Sequence, residues 1–189
     1  GANRASDIEA VLRFAEQQKI RVVIRGAAEG WLIAKELAAA QVPVIIDPLV
    51  YGPGGFRQTH ARPDNAALLH KAGVVVVVGG GSSHNARLVR QAAGNAVREG
   101  LDHEAALRMI TQTPAEVFGL KDRGQLQPGA VANVVVWAGD PLELTTSVRY
   151  VIIGGTVRAL DSRQWQLMLR YKTLPGTPAP ALSLPEASP

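Results

Sequence analysis

A chain of 189 residues, 47% hydrophobic and 19% charged, has the composition of a folded globular protein of one domain with room for an appendage. It has no cysteine, which excludes disulfides, thiolate metal sites and thiol redox chemistry, and no apolar run approaches the ~18 residues that span a bilayer. The net charge of +4 comes from 20 basic and 16 acidic residues. The arginines are scattered and few aromatics accompany them, so neither a nucleic-acid surface nor a membrane partner is expected.

Ser6-Asp7-Ile8-Glu9 predicts the start of a first helix, with Ser6 or Asp7 as its N-cap and Ile8, Val11, Leu12 and Ala15 as its apolar face. Arg21 to Ile24 reads as a strand, Gly26 to Gly30 as a turn, Trp31 to Ala40 as a second helix and Val42 to Ile46 as a second strand. A Gly/Pro-rich loop from Asp47 to Pro63 precedes a third helix starting at Asp64. The valine run Val74 to Val78 then reads as a buried strand, followed by Gly79-Gly80-Gly81 and a helix from about His84 to Glu99. Helices alternating with near-continuous apolar strands at short spacing are the pattern of parallel βαβ units buried on both faces. Beyond Leu101 the pattern changes. Two helical stretches, Asp102 to Ile110 and Thr113 to Gly119, lead to a strand over Asn133 to Trp137. Val148 to Ile153 and Thr156 to Arg158 flank Gly154-Gly155 as a β-hairpin, and the proline-rich stretch from Thr173 to Pro189 reads as an extended tail.

Several segments, in order, carry a family resemblance: ANRASDI near the start, GAAEGW after the Val22 strand, DNAALLHKAGV, HNARLVRQAAGNAVREGL, ALRMITQTPAEVFGL, LQPGAVANVVVWAGDPLE and VIIGGTV. Collinear over most of the chain, they resemble the C-terminal half of amidohydrolases of the imidazolonepropionase-like kind. The resemblance implies an α/β fold, the second half of a (β/α)8 barrel over 1–124, part of a small β-sandwich over 125–165 and a Pro-rich tail over 166–189. It implies a hydrolase acting on non-peptide C–N bonds of the cyclic-amide type, with zinc or another divalent metal as the family's cofactor and its site at the C-terminal strand ends.

Read at the family's ligand positions, this chain departs from the pattern. The position that ends the strand before ANRASDI falls at Gly1. The next falls at Arg25, whose guanidinium has no lone pair to give. The third, where catalytic relatives carry an Asp, falls at Gly81, or at Gly80 with a one-residue shift. Ser82 and Ser83 are neutral hydroxyls and poor substitutes as hard-metal ligands or general bases. No metal ligand is therefore expected from this chain, and no metal or other cofactor in it.

His60, in the loop that would cover the barrel mouth, together with Ser82, Ser83, His84 and Asn85, are the candidates for a substrate pocket. His70 and His103 read as helix-surface residues. No G-x-S-x-G elbow frames a serine for a triad. Gly79 and Gly81 begin a dinucleotide fingerprint, but His84 stands where its third glycine belongs; a turn whose serines cap the next helix is the plainer reading.

Three readings stay open. The chain belongs to a catalytically silent relative; or it forms the substrate pocket of an active metal-dependent hydrolase whose ligands come from an upstream half; or it is a structural half-barrel module. All expect a small-molecule ligand or an assembly partner, either a second copy or an N-terminal barrel half, because an open parallel half-barrel leaves strand edges unpaired. With Gly1 in place of an initiating Met, the compartment of a soluble chain stays open between cytoplasm and periplasm.

Overall fold

The computed structural model of the protein describes residues 1–50, 52–79 and 83–172, with Ser83 described by its backbone alone. Gly80, Gly81, Ser82 and the Pro-rich stretch 173–189 lie outside the described residues, as does Tyr51.

Helix α1 (Ala5–Gln18) opens the chain. It starts before the expected cap: Arg4 is the N-cap residue and offers no side-chain cap. The Ala5 N–H is instead held by the carboxylate of Glu29, a residue 24 positions away. Ser6 and Asp7 therefore sit inside the first turn. The helix closes on Lys19 in the left-handed region (φ 52°).

Strand β1 (Ile24–Arg25) is shorter than the Arg21–Ile24 expectation and shifted towards the turn. Ladder pairing begins when the Ile24 N–H meets the Pro43 carbonyl, while Arg21 reaches away to the Val117 carbonyl at 2.7 Å. A 3-10 turn (Gly30–Ile33) leads into α2 (Ala34–Ala39), then β2 (Val44–Ile46), a 3-10 turn at Phe56–Gln58, α3 (Asn65–Lys71) and β3 (Val76–Val78). Val74 stays out of β3 because its N–H closes α3 on the Leu69 carbonyl. The expected helix from His84 divides into a 3-10 segment (Ser83–Leu88) and α4 (Val89–Arg98), a common way for a helix to begin.

The sheet order is β1-β2-β3, all parallel, with Ile24↔Val44↔Val76 and Arg25↔Ile45↔Val77 in register. Ala2 forms an isolated parallel bridge to Gly26 on the other side of β1. Alternation sorts the two faces. Ile24, Val44, Ile46, Val76 and Val78 belong to one core with Ile8, Leu37, Leu69 and Ala93 from the helices. Leu37 and Leu69 are fully buried; truncating either to Ala costs about 2–5 kcal/mol. Arg25, Ile45 and Val77 occupy the opposite face of the sheet.

Helices α5 (His103–Ile110) and α6 (Gln112–Val117) follow, α5 capped by the Asp102 side chain on the Ala105 N–H. A second, antiparallel sheet has the order β4 (Val134–Trp137), β5 (Val148–Ile153), β6 (Thr156–Arg158). Its β5–β6 turn places Gly154 at φ 58° and Gly155 at φ 78°, the pair of positive values that a two-residue primed turn demands.

The loop between β4 and β5 docks this sheet onto the helices. Leu142 is buried in the main core. Arg90 on α4 stacks over Trp137 at 4.7 Å and donates to the carbonyls of Pro141 and Glu143. The chain then forms α7 (Arg163–Tyr171), capped by Ser162 on the Trp165 N–H. A tail beginning at 166 is thus corrected: that position lies inside α7, where a capping serine and an amphipathic run sustain a helix. Among the described residues no helix is long and apolar enough to cross a membrane.

Candidate functional site

The three parallel strands end together, and the segments leaving them enclose a cleft of about 190 Å³. Its lining includes Asn3, Arg25, Asp47, Gln58, Arg62 and Gly79. Each of these follows from local structure. Arg25 ends β1 on the face opposite the helix-packed core. Gly26 follows at φ 108° because a Cβ there would lie 2.3 Å from Asn3 Oδ1. Gly79 follows β3 where a Cβ would meet Ile45 Cγ2 at 2.9 Å. Asp47 follows β2 and accepts the Leu49 N–H at 3.0 Å, which turns the chain away from the sheet.

Residues 58–63 form the cleft's outer wall, and a knot of buried polar groups holds them. Glu29 is 4% exposed. One of its oxygens takes the Ala5 N–H at 3.1 Å; the other takes the His60 N–H at 3.2 Å and lies 3.1 Å from His60 Nδ1. Burial pushes its carboxyl pKa up, but the N–H groups of Ala5 and His60, with the His60 ring, outweigh burial and leave it below the ordinary carboxylate value. Asn65 is 7% exposed; its Oδ1 accepts the Trp31 N–H and its Nδ2 donates to the Ala27 carbonyl. Trp31 Nε1 donates to the His60 carbonyl at 2.9 Å, and the Arg62 guanidinium stacks on the Trp31 ring at 4.7 Å while its Nε and Nη2 grip the Asp64 carboxylate.

The structure distributes the sequence candidates widely. Arg25 lines the cleft. Gly1 is exposed beside β1, where a Cβ would press on the Arg25 carbonyl at 2.8 Å. His60 is not among the cleft's lining residues: its ring turns to Glu29, and its role is to hold the wall. His84 and Asn85 lie in the 3-10 segment and do not line the cleft either. Gly81 and Ser82, like the side chain of Ser83, fall outside the described residues. His103, read as a surface residue, pairs with Asp140 at 2.7 Å.

The site residues that sequence reasoning missed are Glu29, Asn65, Trp31 and Arg62. Glu29 and Trp31 stand in GAAEGW and Asn65 in DNAALL, so their positions were marked by motif without any sign of their bonding. Periodicity cannot show that a polar side chain is buried.

The donor set in the cleft is poor in metal ligands. Asp47 is the single carboxylate among the described lining residues, and no histidine accompanies it. Among the described residues no group of three or more His, Asp or Glu is placed to hold a metal ion. What the described residues offer instead is two guanidinium groups, three side-chain amides (that of Asn65 engaged with Trp31 and Ala27) and one carboxylate beside apolar strand ends, a set able to bind and orient a small polar molecule.

A second hollow of about 430 Å³ lies at the opposite end of β3, near Asp102, Glu104, Arg108 and Glu116. Its charged groups on α5 and α6 and the Asp102 cap are engaged in the fold: Asp102 caps α5, Glu104 bonds Arg108 and Glu116 bonds Gln112.

Comparison with known proteins places these features in context. The model of the amidohydrolase family matches residues 33–159. The amidohydrolase tasK of Hapsidospora irregularis is 32% identical over 101 residues, covering 52% of this chain and 10% of that protein. An N-acyl-D-glutamate deacylase of Alcaligenes xylosoxydans xylosoxydans is 39% identical over 74 residues, covering 33% of this chain and 15% of that one. The solved structure of an amidohydrolase from Thermotoga maritima MSB8 superposes with a TM-score of 0.77 at 31% identity, covering 82% of this chain and 41% of that chain. The chain thus spans less than half the length of each of these relatives.

Proposed function

The chain belongs to the amidohydrolase family, and on that premise we propose that it forms the second half of a (β/α)8 barrel whose cleft at the strand ends binds a small molecule without this half contributing metal ligands. The half-barrel reading draws support from three parallel strands in chain order with helices between them and from a likeness that covers 41% of the Thermotoga maritima chain. The antiparallel sheet after it is read as part of the accompanying β-sandwich.

Arg25 carries the functional reading. It ends β1 in register with Ile45 and Val77 on the sheet face away from the helix-packed core, where the family resemblance expects a ligand. A guanidinium stays protonated and accepts nothing. With Asp47 as the one carboxylate in the described lining, the residues present do not fit a divalent metal, and no metal-dependent step is assigned to them. Their work is binding and orienting.

Two outcomes follow for the whole protein. In the first it is catalytically silent and the cleft serves binding or assembly. In the second the preceding part of the encoded protein supplies a complete ligand set, and this half supplies the wall that grips the substrate of C–N hydrolysis. Metal analysis of the full-length encoded protein, with assays on cyclic amides and N-acyl amino acids with and without chelator, separates them. The silent reading expects no stoichiometric zinc, iron or manganese and no hydrolysis. One tightly bound metal with chelator-sensitive hydrolysis overturns it in favour of the second. Pairing with an N-terminal half or a second copy is part of either outcome, since Val75, beside the β3 edge, is 43% exposed.

A further inference from the structure

We infer that residues 52–59 form a flap that seats Phe56 on the apolar body of a ligand bound in the cleft. The inference rests on the reading of the cleft as the ligand site. It adds a ligand-contacting residue and the class of ligand that residue selects, a small molecule with an aromatic or aliphatic body.

Placement is the first ground. Val50, just before the segment, and Gln58, within it, both line the cleft, so the chain between them runs along its rim. Phe56 stands in that span and is 94% exposed. A single apolar side chain in water is ordinary on a protein surface. This one stands two residues from a lining side chain, beside a floor that includes Ile45, Ala28 and Ala66. A ligand that lays an apolar body on this floor leaves its outer face to water unless Phe56 covers it.

Freedom to turn is the second ground. A Cβ on Gly52 or Gly55 would meet no atom within 4 Å, and one on Gly54 would meet Gln58 Oε1 of the same segment at 3.0 Å. The Gln58 N–H on the Gly55 carbonyl at 2.9 Å and the Thr59 hydroxyl on the Phe56 carbonyl at 3.1 Å close the turn on itself. In a 3-10 turn, side chains two residues apart point about a third of a turn from each other, as Phe56 and Gln58 do here. Rotation of the short turn by that angle about Gly55, which has no Cβ to restrict it, carries the Phe56 ring towards the place that Gln58 holds.

The third ground is that both ends of the segment are pinned. Before it, the Asp47 side chain takes the Leu49 N–H and the Asp47 carbonyl takes the Val50 N–H. After it, buried Glu29 takes the His60 N–H and Trp31 Nε1 donates to the His60 carbonyl. A glycine-rich span between two fixed ends moves as a unit over the site and sheds water from it when closed.

Titration of the isotope-labelled full chain, carrying 4-fluorophenylalanine at its three phenylalanines, with benzamide and acetamide tests this. The backbone N–H signals of Gly26, Asp47 and Gly79 report binding in the cleft, and the fluorine signal of Phe56, assigned through Phe56→Leu, reports the flap. Benzamide is expected to bind at least tenfold more tightly than acetamide and to withdraw the Phe56 fluorine from solvent, read from its shift between light and heavy water. Phe56→Ala weakens benzamide about tenfold and leaves acetamide unchanged, Phe56→Tyr keeps the preference, and Phe14→Ala, exposed on α1, changes neither. Benzamide binding at the three N–H signals with the Phe56 fluorine still open to solvent, or with equal affinity in Phe56→Ala, overturns the flap and leaves the ligand-site reading standing. Absence of any shift at the three N–H signals overturns both.

Discussion

Glu29 and His60 meet through a single carboxylate oxygen, which accepts the His60 backbone N–H at 3.2 Å and lies 3.1 Å from its Nδ1. The other oxygen of Glu29 starts helix α1 at Ala5. One buried side chain thereby joins the first helix, the turn after β1 and the outer wall of the cleft. Removing it with Glu29→Ala takes the acceptor from two part-buried N–H donors, at a cost of about 1–3 kcal/mol in all. Chemical denaturation should show the loss, and limited proteolysis should show faster cleavage within residues 55–63.

The same carboxylate sets an acid dependence. Its pKa in the folded protein lies below the ordinary value because the N–H groups and the His60 ring favour the ionised form over the opposing effect of burial. A depressed folded pKa stabilises the fold above the unfolded value of about 4.3, and this contribution is lost as pH falls through the folded pKa. Stability measured from pH 6 down to pH 3 should therefore fall less steeply in Glu29→Gln than in the wild type. Equal slopes would show that Glu29 contributes nothing to acid unfolding.

Gly94 shows where a favourable helix substitution turns unfavourable. In the middle of a helix, Ala is preferred to Gly by roughly 1 kcal/mol. Here a Cβ on Gly94 would lie 2.7 Å from the carbonyl oxygen of Leu142, in a loop whose Leu142 side chain is buried in the core. Backbone must move to relieve the contact, and overpacking of this kind costs about 1–3 kcal/mol. Gly94→Ala should lower the urea midpoint rather than raise it.

Arg90 holds the second sheet to the first unit by stacking on Trp137 and bonding the carbonyls of Pro141 and Glu143. Lysine can replace the charge but not the planar fork. Arg90→Lys is expected to speed hydrogen exchange across β4 and β5 by several-fold while that of β2 and β3 changes little. Uniform protection in both sheets would mean that Leu142 and the His103–Asp140 pair hold the loop without the guanidinium fork.

Asn65 is the second buried polar anchor, and its amide must both accept and donate. Asn65→Asp keeps the acceptor for the Trp31 N–H but turns a carboxylate oxygen on the Ala27 carbonyl. It should destabilise at least as much as Asn65→Ala, by about 1–3 kcal/mol for the group left unpaired, as read from thermal unfolding.

Much of the chain's organisation was legible from local pattern. The valine run became β3, the apolar positions around Val44 became β2, and the paired glycines at 154 and 155 became a hairpin turn, because strand burial and positive φ each leave a mark on neighbouring residues. Helix boundaries were less legible. Ser6 and Asp7 have the chemistry of a cap, yet α1 starts at Ala5 because an acceptor from a distant turn reaches its N–H. His60, in a loop over the strand ends, read as a pocket residue, yet its ring is directed to Glu29.

By itself the sequence determined the alternation of helices and apolar strands, the hairpin, the family resemblance, and the guanidinium at position 25 in place of a metal-binding side chain. These are properties of residue identity and short-range periodicity, carried by each segment alone. Only the tertiary structure decided that Arg25 shares a sheet face with Ile45 and Val77, that Glu29 and Asn65 are buried joints, and that Asp47 stands without a second carboxylate in the described lining of the cleft. Those relationships depend on strand register and on which distant segments meet. The free energy of a buried hydrogen bond is settled by partners that the chain brings from tens of residues away.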